Sequence, residues 1–463
     1  MSRRGMTLVE MMVALAATLV VMAAIAQAFA AFGNAVSGSR SVLELDSRMR
    51  AAAWRLRSDL AGATARPVPP LNPAAGEGYL EIIEGPATDY LTSTLAVTTG
   101  TTVSGDHDDV LLLTTRSTET PFIGRTSGTG GTIDDTFEST LAEVGWFARE
   151  AGTLNPRTYT LYRKQLLVMG YVGADPFHSG LGSNNSISLP ATSGNLTVSS
   201  SASALREFYN LPCDISVRRE ANVLYPNTLA DLTRRENRFL HNPLGTTGTS
   251  GFPFVFAGGN HQLSPAPDGL IFDTDQRRGE DVVLTNVLAF DVRVFDPTAP
   301  VFVASGSTAL VPGDPGFTNT PSASGGYVDL GTGTSNSLLT GIPPHFSGTC
   351  QASSRLNTAV PTLRVYDTWN LGYEADGLDQ DNDGIRDDGT NGLDDDSDGS
   401  FDEPPFDANG DGDFTDAGDD AGEAETLPPY PYPLRGIEVR IRCYEPSSRQ
   451  VRQVTVRHTF VPH

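Results

Sequence analysis

Four catalytic signatures are missing from the 463 residues: the G-x-S-x-G elbow, the H-E-x-x-H pair, the P-loop and the dinucleotide fingerprint. Their absence removes the commonest hydrolase, zinc-peptidase, nucleotide-hydrolysing and dehydrogenase architectures. Histidine is sparse: His107, His178, His241, His261, His345, His458 and His463 stand one at a time. Asp106-His107-Asp108 has part of a triad's chemistry but no nucleophile near it in sequence. Cysteine is sparser still. Cys213, Cys350 and Cys443 are an odd number, so one bridge with one free thiol fits an oxidising compartment, the pair staying open. No CxxC or His/Cys cluster offers a zinc site. Positive charge is also short, with 32 Lys and Arg against 56 Asp and Glu and a net charge of -24, which disfavours nonspecific nucleic-acid binding.

What the chain does have begins at its N-terminus. Met1 to Gly5 is a short basic leader, and Met6-Thr7-Leu8-Val9-Glu10 opens an apolar run that carries no charge from Met11 to Phe32. Those 22 residues, at about 1.5 Å each, span roughly 33 Å, enough to cross a hydrocarbon core of about 30 Å. Arg3 and Arg4, with no further base until Arg40, place the N-terminus in the cytoplasm and the rest outside. Glu10 is the residue to explain, because a carboxylate at the head of such a helix needs a partner.

Gly5-Met6-Thr7-Leu8-Val9-Glu10 resembles the type III signal of the type IV pilin superfamily. The resemblance implies cleavage after Gly5 by a prepilin peptidase and N-methylation of Met6. It also implies pairing of Glu10 with the terminal amine of a neighbouring pilin or pseudopilin. Met6 stands where that family usually has Phe. A secretory signal peptide cleaved near Ala26-Gln27-Ala28 and a plain uncleaved anchor compete with this reading, but neither requires Gly5 or Glu10.

Beyond the membrane run, Leu45, Met49, Ala52, Leu56 and Leu60 recur at helical spacing, predicting one continuous helix that Pro67, Pro69 and Pro70 end. Strands are expected at Tyr79–Ile83, Asp109–Thr115, Val144–Ala148, Thr158–Arg163, Leu166–Met169 and Val287–Phe295, and a helical stretch near Leu229–Arg235. The clearest pattern is last: Ile437, Val439, Ile441 and Cys443, then Val454, Val456, His458 and Phe460, alternate with polar residues as an antiparallel hairpin requires. Trp54 to Leu60, Thr160-Leu161-Tyr162-Arg163-Lys164 and Val287–Phe295 resemble segments of J-type type II secretion pseudopilins and PilW-type minor pilins.

The acidity is local. Residues 374–425 hold 17 Asp and 4 Glu against Arg386, so most of the net charge sits there. Asp379, Asp381, Asp383 and Asp387, with Gly384 at the turn, have the alternate spacing of an oxygen-donor calcium loop. Asp394, Asp396, Asp398 and Asp402 repeat it, as do Asp407, Asn409 and Asp411. Thr390, Pro405 and Gly418 stand where an EF-hand has its bidentate Glu. The loops look more like the Asp-rich repeats of thrombospondin type 3, which implies bound Ca²⁺; a solvated acidic linker is the plain alternative.

These features predict an α+β, pilin-like fold: leader 1–5, transmembrane half-helix 6–32, amphipathic half-helix 33–66 and sheet head 67–172. A loop-rich insertion at 173–280, a central strand at 281–296 and a second insertion at 297–373 follow. A calcium insert at 374–425 and a hairpin at 426–463 complete the chain. The expected role is non-enzymatic: a minor pseudopilin or pilin of an inner-membrane system, its head in the periplasm until it joins a filament. A calcium-dependent adhesin on the same anchor is the alternative.

Overall fold

The computed structural model describes residues 7–68, 75–85, 105–127, 133–150, 158–169, 190–191, 194–195, 214–220, 223–234, 237–239, 256–257, 262–263, 281–303, 309–312, 314, 317, 322–330, 364–368 and 433–460. Helix α1 (Leu8–Ala61) is 54 residues long, about 80 Å at helical rise. Its first half buries nothing within the chain: from Leu8 to Phe32 its large apolar side chains are 47% to 76% exposed. The segment is long and apolar enough to cross a membrane. In the second half Leu45, Met49, Ala52, Ala53, Leu56 and Leu60 form one buried stripe. One helix thus serves two apolar environments, a ring of lipid-compatible side chains first and a single core-facing stripe after.

Gly62, and not the downstream prolines, ends the helix. Its N–H bonds to the Ser58 carbonyl at 3.1 Å, and the chain turns directly onto the sheet, with Arg116 N–H on Gly62 O at 2.7 Å and Thr64 N–H on Thr114 O at 2.9 Å. A Cβ at position 62 would run into the Arg116 carbonyl oxygen, so the close approach requires glycine.

The head is an antiparallel sheet. Its strands are β1 (Leu80–Glu84), β2 (Val110–Arg116), β3 (Phe122–Ser127), β4 (Ile133–Ser139), β5 (Leu141–Glu150) and β6 (Tyr159–Leu167). Short ladders follow: β7 (Pro190–Ala191) with β8 (Gly194–Asn195), β9 (Val217–Glu220) with β10 (Val223–Pro226), and β11 (Phe256–Ala257) with β12 (Gln262–Leu263). Then come β13 (Val282–Val303), β14 (Ala309–Leu310), β15 (Ala323–Val328), β16 (Arg364–Asp367), β17 (Gly436–Glu445) and β18 (Gln450–Thr459). The main sheet runs β16-β1-β2-β5-β6-β13-β17-β18, with β14 and β15 also on β13. The expected strands and final hairpin are present, except that Thr158–Arg163 and Leu166–Met169 fall in one strand, β6, which ends at Leu167. The stretch 297–373 does more than decorate the surface, since β14, β15, β16 and the end of β13 all come from it. The helical reading near Leu229 reduces to one 3-10 turn, Asp231–Thr233.

Alternation decides the layers. Leu80, Ile82, Leu111, Leu113, Trp146, Val439, Ile441 and Cys443 share a core with the helix stripe. The opposite face carries Glu81, Glu143, Lys164, Arg293 and Glu438, yet these are buried too. Part of the 173–280 stretch covers Glu81 and Glu143, and Asp314 and Asp329 meet Arg293. Arg238 Nη1 donates to Asp367 Oδ1 at 2.8 Å and to Glu81 Oε2 at 3.1 Å, and its guanidinium lies 4.1 Å over the Tyr79 ring. Glu143 accepts from Tyr79 Oη at 2.7 Å and from Phe239 N–H at 2.8 Å. The 173–280 stretch contributes paired ions and a few apolar anchors, Ile215, Leu232 and Phe239 among them.

Asp59 breaks the amphipathic pattern. It is buried and crosses the core, accepting from Arg163 Nε and Nη2 at 2.7 Å each and from Trp146 Nε1 at 2.9 Å. Removing one partner of a buried pair strands the other, at about 3–5 kcal/mol. Asp59→Ala is therefore expected to lower unfolding free energy by about that much in urea titrations of the detergent-solubilised chain. A loss below about 1 kcal/mol, the range of surface pairs, would refute the tie's importance.

Candidate functional site

Two places gather polar chemistry. The first is the head of α1. Thr7 is its N-cap: Glu10 N–H donates to Thr7 Oγ1 at 3.3 Å, and Glu10 Oε2 accepts from Thr7 N–H at 2.9 Å and Thr7 Oγ1 at 3.0 Å. This is a reciprocal capping box, which satisfies two of the donors that a helix start leaves open. Both bonds onto the carboxylate use Oε2. Thr18 Oγ1, farther along, returns its hydrogen to the Ala14 and Leu15 carbonyls at 2.9 and 2.8 Å, so that hydroxyl is satisfied inside the apolar half.

The second is a seam. In sheet order β5 and β6 separate β2 from β13, yet residues 105–109, just before β2, bond to β13 directly. Gly105 N–H donates to Leu288 O at 3.2 Å, Phe290 N–H to Asp106 O at 2.8 Å and Val292 N–H to Asp109 Oδ2 at 2.6 Å. Gly85 N–H donates to Asp109 Oδ1 at 3.1 Å, and Leu330 N–H to Glu84 Oε2 at 3.1 Å. The sheet therefore curls until its two halves meet, and carboxylates collect where they do. Glu84, Asp106 and Asp329 form one group, and Asp106, Asp109 and Asp291 another, with oxygens within 4.8 Å of one another in each. All five side chains are buried. Arg293 is the cation beside them, its Nε 3.0 Å from both Asp291 Oδ1 and Asp329 Oδ1.

Burial, and then the neighbouring carboxylates, push Asp106 and Asp109 well above the ordinary aspartate range. A hard divalent cation suits such an all-oxygen set, and protonation relieves the same repulsion without one. The donor chemistry fits a cation. The backbone N–H groups on Asp109 and Glu84 hold those carboxylates in place in either case.

Sequence reading noticed Asp106-His107-Asp108 for a different reason and passed over Glu84, Asp291 and Asp329. His107 stacks on Tyr159 with ring centroids 4.0 Å apart, and its Nδ1 lies 2.7 Å from Gly105 O; this is packing rather than triad geometry. No spacing links residues 84, 106, 109, 291 and 329, so only the curled sheet brings them together. Of the residues expected to matter from sequence, Glu10 is placed as described. Gly5, Met6 and the loop ligands from Asp379 to Asp411 lie outside the described residues.

Residues 1–26 match the family model of the prokaryotic N-terminal methylation motif. The match covers the leader, Thr7, Glu10 and most of the apolar half of α1. The methylation motif thus stands at the head of a helix long and apolar enough to cross a membrane, which supports a membrane-anchored, pilin-type reading of the chain. No curated protein and no solved structure matches the chain.

The seam has a pH signature. With its folded pKa raised, Asp106 keeps a proton that the unfolded chain releases above about pH 4. Its contribution to stability is complete below that pH and declines as pH rises toward the folded value. In EDTA, Asp106→Asn is expected to melt with the parent near pH 4 and above it at pH 7.5. A parent that melts higher than the variant at pH 7.5 would contradict the assignment.

Proposed function

We propose that the chain is a minor pseudopilin or minor pilin, held in the inner membrane by Leu8 to Phe32 with its head in the periplasm, and assembled near the tip of a filament. The observation that carries this reading is the joining of the methylation motif to a helix whose first half has no packing partner among the described residues. In this reading a prepilin peptidase cuts after Gly5, Met6 is methylated, and Glu10 meets the amine of a neighbouring subunit. The capping box engages Oε2, so Oε1 is the oxygen for that amine. A carboxylate and an ammonium, each costly in lipid, are tolerable as a pair, which fixes the axial register between subunits. The head sits above this bundle.

The Asp-rich segment belongs to the same reading as a calcium-binding insert of the exported head. Its three repeats place oxygen donors at alternate residues with Gly384, Gly399 and Gly412 at the turns. Equilibrium dialysis against calcium should find ions bound by the full chain and lost in the combined Asp383→Ala, Asp398→Ala and Asp411→Ala variant. Equal binding by parent and variant would leave the loops without that role.

Processing and pairing are tested together. Intact-mass analysis of the mature chain should show loss of Met1 to Gly5 and one methyl on Met6; a chain beginning near Phe29 would overturn the reading. Glu10→Gln keeps an acceptor for Thr7 but removes the charge. Incorporation into filaments is expected to fall at least about tenfold, the consequence of losing roughly 1.4 kcal/mol, with membrane insertion retained. Normal incorporation of Glu10→Gln would dismiss the ion pair.

A further inference from the structure

A cavity of about 640 Å³ opens between one flank of α1 and the sheet, walled by β3, β4, β6, the start of β13 and Asp214. Arg48, Ala51, Ala52 and Arg55 supply its helix side, at the three- and four-residue steps that share a flank. Cations crowd it. Arg125 and Arg163 bring the guanidiniums among the described residues lining it to four, against two carboxylates, Asp214 and Asp281. None of the seam carboxylates takes part.

Most of these charges are already engaged. Arg48 pairs with Glu44 one turn earlier, and Arg163 gives Nε and Nη2 to Asp59 and Nη1 to Gln165. Arg125 Nε lies 4.0 Å from Asp214, whose Oδ2 accepts the Arg125 N–H at 2.9 Å, and Asp281 faces Lys164 at 3.3 Å. Arg55 differs from the other three. The one acid at helical spacing from it is Asp59, four residues on, and both oxygens of Asp59 are taken in the core by Arg163 and Trp146. Arg55 therefore has no ion-pair or hydrogen-bond partner among the described residues, although it lines the cavity and is open to solvent. Partial burial, and then the like charge of Arg163, lower its pKa from the usual arginine value, and an anion beside it offsets that repulsion.

Size, charge and height define what fits. The volume is that of a small-molecule site and far more than one inorganic ion fills. Ala51, Val282 and Val283 give the cavity an apolar wall, which suits a ligand with an organic body. One unengaged guanidinium matches one negative charge, a carboxylate received by the arginine fork, whereas a phosphate ester at about -1.5 to -2 calls for a second cation. Lipid headgroups are out of reach. Arg55 lies 23 residues beyond Phe32, about 35 Å along the helix, against roughly 5–8 Å for a headgroup layer. We infer that this cavity binds a small organic carboxylate, with the anionic end on Arg55 and the apolar body against Val282 and Val283. The exclusion of lipid rests on the membrane-anchored reading above; the chemistry of the cavity does not.

The test is equilibrium dialysis of radiolabelled benzoate against the full chain in detergent, with uptake by protein-free micelles subtracted. One saturable site per chain is expected. Arg55→Gln should weaken binding at least about tenfold while melting with the parent, since Arg55 ties no other element of the fold. Arg55→Lys keeps the charge but loses the planar fork, and should fall between the two. Benzamide, which has the ring without the charge, and inorganic phosphate, which has charge without a ring, should not displace the label. The Glu10→Gln chain should bind benzoate as the parent does, which separates this result from failure of the assembly reading. Absence of saturable binding, or equal binding by Arg55→Gln, would overturn the inference. So would displacement at lower concentration by phenyl phosphate, which would assign the cavity to a phosphate ester, or by an acetylated glutamate-valine dipeptide, which would assign it to an acidic segment of another protein.

Discussion

The bond of Asp59 to Arg163 and Trp146 is the constraint on which the head depends. A helix stripe of Leu, Met and Ala against a sheet is slippery, since apolar contacts are non-directional and several registers bury similar area. A carboxylate received by a guanidinium fork and an indole N–H has one geometry, so it fixes where along α1 the sheet sits and how the helix is rotated. Gly62 follows within one turn and lets the chain fold back onto β2. From Leu8 to Phe32 the apolar side chains of the same helix stay exposed, so the stripe from Leu45 to Leu60 and this tie are what join the apolar half to the head.

The second organising feature is a sheet that is apolar toward the helix and ionic on its other face, with both faces buried. Arg238, Arg293 and Lys164 are each matched to carboxylates on neighbouring strands or covering segments. Such a layer contributes less to stability than an apolar one of equal area, but mispairing it is costly, so it specifies how the covering segments lie. The seam is the exception in which carboxylates outnumber cations, and the raised pKa values of Asp106 and Asp109 are the electrostatic consequence.

Anchor, head and edge make a consistent physical design for a subunit that works in company. The apolar half of α1 needs lipid or other helices. The main sheet ends at β18, whose outer side pairs with no other strand among the described residues. Among the described residues neither surface is covered, and the two differ in kind: an apolar helix face is non-directional and suits bundling, whereas a strand edge is directional.

Much of the architecture was legible in the residues because it is local. The span from Leu8 to Phe32, the amphipathic stripe from Leu45 to Leu60 and the alternation of the last hairpin each follow from the pattern within one segment, and the methylation motif was legible by resemblance. The long strand β13 was half legible, since its apolar middle is periodic but its ends, with Pro297 and Pro300, are not. Asp59 is the core's fixed point, which helical spacing does not reveal, because a wheel diagram carries no information about an arginine 104 residues away. The sequence by itself determined the anchor, the helix and the parity of the strands, all of which depend on neighbours in the chain. Only the tertiary structure decided the curl of the sheet, the gathering of Glu84, Asp106, Asp109, Asp291 and Asp329, the burial of the ionic face and the open edge at β18. These arise from contacts between distant segments, which no local pattern encodes.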